Sequence, residues 1–396
     1  MEYKKAVQYV EETINNVEET RKIVEKEKIN QIWAAPVQGA EHLDLVRYSA
    51  EKFDNMGFNF MALGSPVELM EAYEFYTLSQ MISTLKQTVP SKPIHLFGAG
   101  HPLTIPLAIA LGCDMFDSAS YMLYAKDKRY MHSKGTTKLE DLTYLPCCCE
   151  ICTSFTAKEL QQTNYQDLIV LLGKHNLYVL QYEVQSVKQA IIEGRLWEHL
   201  MNKAHSHPKL MEVLKLFKNL EFIENGTALY KDKAIFFNEP IDQYRPEAKQ
   251  FRKMVYRFKK LENKKNIILF PETKIHPFYT TKEYIKLRNK FPEAEICTYN
   301  PYLGIIPSEI SDLFPAAQNL SFLDVNDNID DYPTFLEAFD NFLINNKNNL
   351  NKIIIFANRF MQNFLDEYKK PSQLKDIEVK IIEFEIHNTF LKNMNE

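Results

Sequence analysis

Apolar residues recur at helical spacing from the start of the chain. Val7, Val10, Ile14, Val17 and Val24 line one side of residues 3–26 and predict an amphipathic helix. A short apolar run from Gln31 to Val37 reads as a strand, and Gln38-Gly39 leads into a helix from about His42 to Met56. The next strand, Phe58 to Leu63, is broken by Gly64-Ser65-Pro66, and a helix from about Val67 to Lys86 follows. Pro93 to Phe97 is a third strand. Gly98-Ala99-Gly100 turns it into a helix whose first position suits Pro102. Cys113 to Phe116 is a fourth strand.

Strands alternating with helices predict an α/β fold with a parallel sheet and right-handed crossovers. A (β/α)₈ barrel and an open doubly wound sheet both satisfy that pattern. In either, chemistry gathers at the carboxyl ends of the strands, which is where Gln38, Gly64, Gly98 and Asp117 fall. The strands read before the cysteine-rich segment amount to about half of a barrel's eight. Beyond that segment, residues 163–194 predict a long helix with Thr163 and Gln166 spaced as a capping box and Gly194 as its stop. Two shorter helical pieces extend to Leu216, and residues 222–244 are irregular, with a hairpin and a boundary as the expectation. A second α/β pattern starts near Lys265. Its strands are expected at 267–270, 295–298, 352–356 and 379–384, and its helices at 281–290, 332–344 and 359–368. The predicted domains are a partial barrel over 1–145, a metal-binding and helical region over 146–224, and a smaller α/β domain over 225–396.

Composition narrows the class without fixing the partner. The 396 residues are 45% hydrophobic and 25% charged, an ordinary globular balance in a chain long enough for more than one domain. No apolar run reaches membrane-span length, and the charged amino terminus lacks a signal-peptide core, so a cytoplasmic protein is expected. A formal net charge of -5 gives no global sign of a nucleic-acid partner. Basic residues cluster locally at Lys126, Lys128 and Arg129, and again from Arg252 to Lys265, where a solvated helix face is the simpler reading.

Of the 6 cysteines, Cys147, Cys148, Cys149 and Cys152 crowd into one short segment, while Cys113 and Cys297 stand apart. In a reducing compartment this spacing points to a metal rather than to disulfides. Cys147, Cys149 and Cys152 supply three thiolates, and His175 is the nearest downstream histidine for a fourth ligand. Such a closed tetrahedral set fits one structural zinc ion, with no coordination position left for water. Cys148 can in principle exchange with a neighbour.

Asp117 has two readings: a helix cap, or a carboxylate at the active rim serving as nucleophile or base. Asp114 reads as a structural partner. Gly98 and Gly100 suit either a turn that offers backbone N–H groups to a ligand or a tight turn needing positive φ. Gln38-Gly39 and Gly64-Ser65 carry the same pair of readings, and a glutamine there can pair with the edge of a base.

Specific text carries a resemblance. PVQG (36–39), HLFGAGHP (95–102), FDSASYMLYAKDKRYM (116–131), PCCCEIC (146–152), KHNL (174–177) and VKQAIIEGRLW (187–197) are similar to the archaeal tRNA-guanine transglycosylase family. The resemblance is clear from about Gln31 to Glu224 and weaker beyond, where residues 299–318 keep a family flavour. It implies a TIM-type barrel with an inserted zinc subdomain. It also implies a retaining displacement at ribose C1′ that exchanges a guanine in the tRNA D-loop (position 15) for the 7-deazaguanine preQ0, on the route to archaeosine. Asp117 then matches the rim aspartate. Gln38, Gly39, Gly64, Ser65, Gly98 and Gly100 fall at the base pocket, and Cys147, Cys149, Cys152 and His175 match the zinc ligands.

The chain departs from the family at Ser65, where a second glycine is usual, at Pro66, and at Cys148. The family's first barrel strands, with a second catalytic aspartate and a base-reading aspartate, have no counterpart here, nor has the carboxyl-terminal RNA-binding module. Three expectations follow. The first is a transglycosylase subunit whose partner chain completes the barrel. The second is an archaeosine-synthase-like paralogue acting on preQ0-tRNA, suggested by residues 271–284 although Glu272 stands where that motif has cysteine. The third is a non-catalytic tRNA-binding subunit.

Overall fold

The computed structural model describes residues 1–64, 66–258, 261, 263, 265–321, 331–368 and 377–383. The chain divides into two compact units, Met1–Asn225 and Gly226–Glu396. Among the described residues no helix is long and apolar enough to cross a membrane.

The first unit opens with α1 (Tyr3–Lys26), which buries Ala6, Val10 and Ile14. There follow β1 (Ala34–Val37), α2 (Leu43–Asn55), β2 (Phe60–Leu63), α3 (Val67–Glu71), α4 (Phe75–Thr88), β3 (Ile94–Leu96), α5 (Thr104–Ala110) and β4 (Met115–Phe116). The four strands form one parallel sheet in the order β1-β2-β3-β4. That order decides between the two sequence-level candidates. A doubly wound sheet reverses direction at a switch point, whereas here each crossover steps to the next strand on the same side, as in an arc of a barrel. Register puts Pro36, Ala62, His95 and Met115 in one row across the sheet, and Val37, Leu63, Leu96 and Phe116 in the next. Val37, Leu63 and Leu96 are fully buried, whereas Met115 is exposed.

Two local expectations are corrected. The helix expected over 67–86 is broken at Tyr73, which takes φ +56° and stacks its ring on His207 at 5.0 Å. Tertiary stacking overrides the helical periodicity there. The helix after Gly100 starts at Thr104 rather than Pro102, with the His101 carbonyl accepting the N–H groups of Thr104 and Ile105.

From the rim the chain continues through α6 (Ser120–Lys126) and the antiparallel hairpin β5 (Arg129–His132) and β6 (Gly135–Lys138). Next come α7 (Glu150–Ser154), α8 (Ala157–Gln162), the long α9 (Tyr165–Ile192), α10 (Leu196–Ala204) and α11 (Pro208–Leu214). The capping box lies at α8, between Thr156 and Glu159, and not at Thr163 and Gln166. Helix α9 is capped by Asn164, whose Oδ1 accepts the Asp167 N–H at 3.2 Å, and Gly194 ends it at φ +71°. Asn176, fully buried on α9, accepts the Met131 N–H and donates to the carbonyls of Tyr121 and Arg129. One side chain thus ties α9 to α6 and β5.

Helix α12 (Glu221–Gly226) crosses the unit boundary. The second unit contains β7 (Ile235–Phe237), α13 (Pro246–Phe258), β8 (Lys265–Pro271), α14 (Lys282–Lys290), β9 (Glu295–Asn300), β10 (Gly304–Pro307) and β11 (Asn319–Ser321). It continues with α15 (Pro333–Asn346), β12 (Leu350–Ala357), α16 (Arg359–Glu367) and β13 (Glu378–Glu383). Its main sheet runs β10-β9-β8-β12-β13, parallel except for β10 against β9. The hairpin expected before Tyr244 does not form. Strand β7 pairs in parallel with the distant β11, and β10 went unpredicted. The Lys259, Lys260 and Lys264 portion of the basic run, and Phe384 at the end of the last expected strand, lie outside the described residues.

Candidate functional site

The rim at the carboxyl ends of the first sheet is built from strand-end residues. After β1, the Gln38 N–H donates to Ser49 Oγ of α2 at 3.1 Å. Its side-chain amide lies over Gly64, where a Cβ would come within 2.7 Å of Gln38 Nε2. Gly64 is therefore bare to let the glutamine lie across it, and its N–H donates to the Val37 carbonyl at 2.9 Å. Gly39 has a packing role, because a Cβ would approach the Val46 N to 2.5 Å. Ser65 lies outside the described residues.

After β3, Gly98 takes φ +69°, which a side chain resists, and its N–H reaches Asp117 Oδ1 at 3.2 Å. Gly100 meets the chain that follows Asp117, since a Cβ there would lie 1.9 Å from Ser118 Oγ. Ser118 Oγ in turn accepts the Ser120 N–H at 3.0 Å and shapes the entry to α6. Asp114 is structural: its Oδ2 accepts the Ile94 N–H at 2.9 Å.

Asp117 does not cap α6, which shows no side-chain cap at its start. Its carboxylate turns back to the rim, where His95 Nε2–H donates to Oδ1 at 2.9 Å. The Asp117 side chain is 59% exposed and that of His95 17%. The imidazole is stacked near Phe60, with centroids 6.1 Å apart, and lies 4.5 Å from Phe97. His95 is the functional candidate that motif reading passed over. Its signal was a polar residue between buried Ile94 and Leu96, on the same alternation as Asp117 one strand away. The rim therefore forms two contacting groups, Gln38 with Gly64, and His95 with Gly98 and Asp117.

A second centre lies beyond the hairpin. The ligand atoms of Cys147, Cys149, Cys152 and His175 all lie within 4.8 Å of one another, a set able to hold a metal ion. His175 Nδ1 is 3.4 Å from the Sγ atoms of both Cys149 and Cys152. Its Nε2–H donates to the Met131 carbonyl at 2.8 Å, which fixes the tautomer and leaves Nδ1 as the ligand atom. The Tyr130 ring stacks on His175 at 3.8 Å, and its hydroxyl meets Cys152 Sγ at 3.3 Å. Burial raises the Cys147 thiol above its ordinary range and pushes Cys152 up to about 12. Cys148 is exposed, outside the cluster, so it offers no exchange of ligand. Cys113 and Cys297 are buried. The centre rests on a core of Ala125, Tyr130, Leu139, Ile151, Leu160, Leu168 and Leu172.

A parallel arc of four strands, a strand-end aspartate on its rim and a three-cysteine, one-histidine cluster able to hold a metal ion give the class, a barrel-type α/β scaffold with a candidate metal-site insertion. Residues 1–209 match the queuine tRNA-ribosyltransferase family, and the chain belongs to it. It is 39% identical over 328 residues to the tRNA-guanine(15) transglycosylase of Saccharolobus solfataricus, covering 80% of this chain and 65% of that protein. It is 36% identical over 320 residues to the protein of that name from Methanocaldococcus jannaschii, covering 80% and 48% respectively. A third, from Sulfolobus acidocaldarius, is 36% identical over 322 residues, with 80% and 63% covered. The chain thus spans about half to two thirds of the length of these relatives.

Proposed function

We propose that this chain forms one side of a tRNA-guanine transglycosylase active site and works with a partner chain that closes the barrel. The observation that carries the reading is Asp117, an accessible carboxylate at the end of β4, oriented by His95 and Gly98 on the rim that also presents Gln38. In this role an Asp117 oxygen attacks ribose C1′ as the C1′–N bond to guanine breaks, and the bonding pair leaves with the base. The incoming preQ0 ring nitrogen then attacks C1′ and releases the aspartate; guanine gains one proton as it leaves and preQ0 loses one to solvent as it attacks, so the exchange is proton-neutral overall. Two displacements retain configuration at C1′. Gln38, over the bare Gly64, is placed to pair with the base edge.

Support for the partner comes from the open sheet. Among the described residues β1 and β4 each pair on one side only, and Phe97 and Met115 stay exposed. A cleft of about 710 Å³ between α1 and the β1 edge, lined by Val17, Val24, Trp33 and Phe58 among others, extends that unfilled surface. Within residues 271–284, the basis of the synthase reading, Glu272 accepts from the side chains of Asn300 and Asn319. We assign zinc to the Cys147, Cys149, Cys152 and His175 centre as a structural ion, which locks the hairpin to α9, and we place the chain in the cytoplasm with its tRNA substrate.

The test is incorporation of labelled guanine or preQ0 into tRNA by the chain alone and with proteins that co-purify from its source. Exchange that requires a companion and is lost in Asp117→Asn supports the reading. A stable monomer that recruits no companion and exchanges no base contradicts it.

A further inference from the structure

We infer that His95 is a positioning residue that decides which oxygen of Asp117 reacts. The inference rests on the transglycosylase reading for its kinetic consequence and on geometry alone for its structural one. Both donors that reach the carboxylate converge on one atom: His95 Nε2–H at 2.9 Å and the Gly98 N–H at 3.2 Å both meet Oδ1. Among the described residues Oδ2 receives no hydrogen bond, and the side chain is 59% exposed, so Oδ2 carries the accessible lone pairs.

The clamp is stiff for three reasons. The imidazole is packed against Phe60 and Phe97, which fixes its plane. Gly98 holds a left-handed conformation at φ +69°, which aims its N–H inward. His95 sits within β3, in register with Met115 of β4, so the donor and the acid share one rigid sheet.

When an Oδ2 lone pair forms the bond to C1′ and the departing base takes the C1′–N pair, Oδ1 becomes the ester carbonyl and keeps both donors. When the second displacement breaks the Oδ2–C1′ bond, the returning charge spreads onto an Oδ1 that is already hydrogen-bonded. The clamp thus serves both halves of the exchange without itself gaining or losing a proton. It also prevents the carboxylate from turning its bound oxygen toward the sugar.

Glutamine places its Nε2 where the imidazole has Nε2, whereas phenylalanine keeps the ring packing and removes the donor. In the exchange-competent assembly we expect His95→Gln to stay within about threefold of wild type. His95→Phe should lose about 10- to 100-fold in kcat with KM unchanged, which is about 1.4 to 2.7 kcal/mol at 1.36 kcal/mol per tenfold. A His95→Phe variant with undiminished kcat, or a His95→Gln variant as slow as His95→Phe, overturns the inference. A second readout needs no turnover. The ¹⁵N spectrum of the His95 ring should show the Nε2–H tautomer in wild type and shift toward the free-imidazole mixture in Asp117→Ala. An unchanged tautomer ratio overturns the pairing. A wild-type assembly that exchanges no base counts against the transglycosylase reading, and the tautomer measurement still decides the clamp.

Discussion

Substituting Gly100 by alanine tests how tightly the rim is built around Asp117. A methyl at this position would lie 1.9 Å from Ser118 Oγ, 2.3 Å from Ser118 Cβ and 2.3 Å from Ser120 Oγ. Ordinary contact for such a group begins near 3.4 Å, so the 118–120 turn must retreat by more than 1 Å. The retreat breaks two bonds, Ser120 N–H to Ser118 Oγ at 3.0 Å and Ser120 Oγ–H to the Gly100 carbonyl at 2.5 Å. Overpacking of this kind costs about 1–3 kcal/mol, and the two bonds add about 1 kcal/mol each. Because Ser118 follows Asp117 directly, the carboxylate moves with the turn, and a displacement of about 1 Å can cost roughly 100-fold in rate. Urea unfolding should show Gly100→Ala less stable by about 3–5 kcal/mol, with kcat reduced far more than KM is raised. Gly226→Ala, where a methyl meets nothing within 4 Å, is the matched control. Adding Ser118→Gly to Gly100→Ala opens the space again and should recover part of both losses. A Gly100→Ala protein as stable and active as wild type refutes the packing argument.

Cys152→Ala removes a ligand atom and leaves the Tyr130 hydroxyl without its sulfur partner, so metal content measured by plasma spectrometry should fall from about one ion per chain to well below it. Asn176→Ala strands the Met131 N–H and the carbonyls of Tyr121 and Arg129. Denaturant unfolding should show a loss of about 3–5 kcal/mol, whereas a loss under 1 kcal/mol contradicts the buried network. Burial raises Glu272 from 4.5 to about 7 against the pull of its Asn319 and Asn300 hydrogen bonds. Between those values the folded state binds more protons than the unfolded one, so stability falls as pH rises through that window. At about 1.36 kcal/mol per unit the fall over that window should be about 3 kcal/mol. Hydrogen exchange of the β8 amides from pH 5 to pH 8 reads it, and Glu272→Gln should flatten the slope.

How much of this was legible in the sequence depends on the range of the interaction. Helix α1 and the strand ends at Gln38, Gly64, Gly98 and Asp117 follow from local periodicity and turn chemistry, and they lie where the pattern puts them. The metal centre was legible because Cys147, Cys149 and Cys152 are close in the chain, and only His175 had to be carried back by a helix. Contacts made at a distance were hidden. The break at Tyr73 needs His207, the pairing of β7 needs β11, and the partner of Asp117 lies on the neighbouring strand. The cap of α9 illustrates a nearer miss. Thr163 and Gln166 have the spacing of a capping box, but Asn164 starts the helix one residue later because Thr163 ends α8. Gly98 and Gly100 looked interchangeable in sequence, yet one supplies a left-handed turn and the other a close approach of two segments of the chain.

The most direct test of the central claim is to find where tRNA becomes attached to the protein. The assembled enzyme is incubated with tRNA in the absence of an incoming base, quenched in acid and digested, and the sugar-linked peptide is sequenced by mass spectrometry. The expected result is a ribosyl ester on Asp117, in the peptide that follows β4, and no adduct in Asp117→Asn. An adduct on any other residue, or base exchange that survives Asp117→Asn, contradicts it.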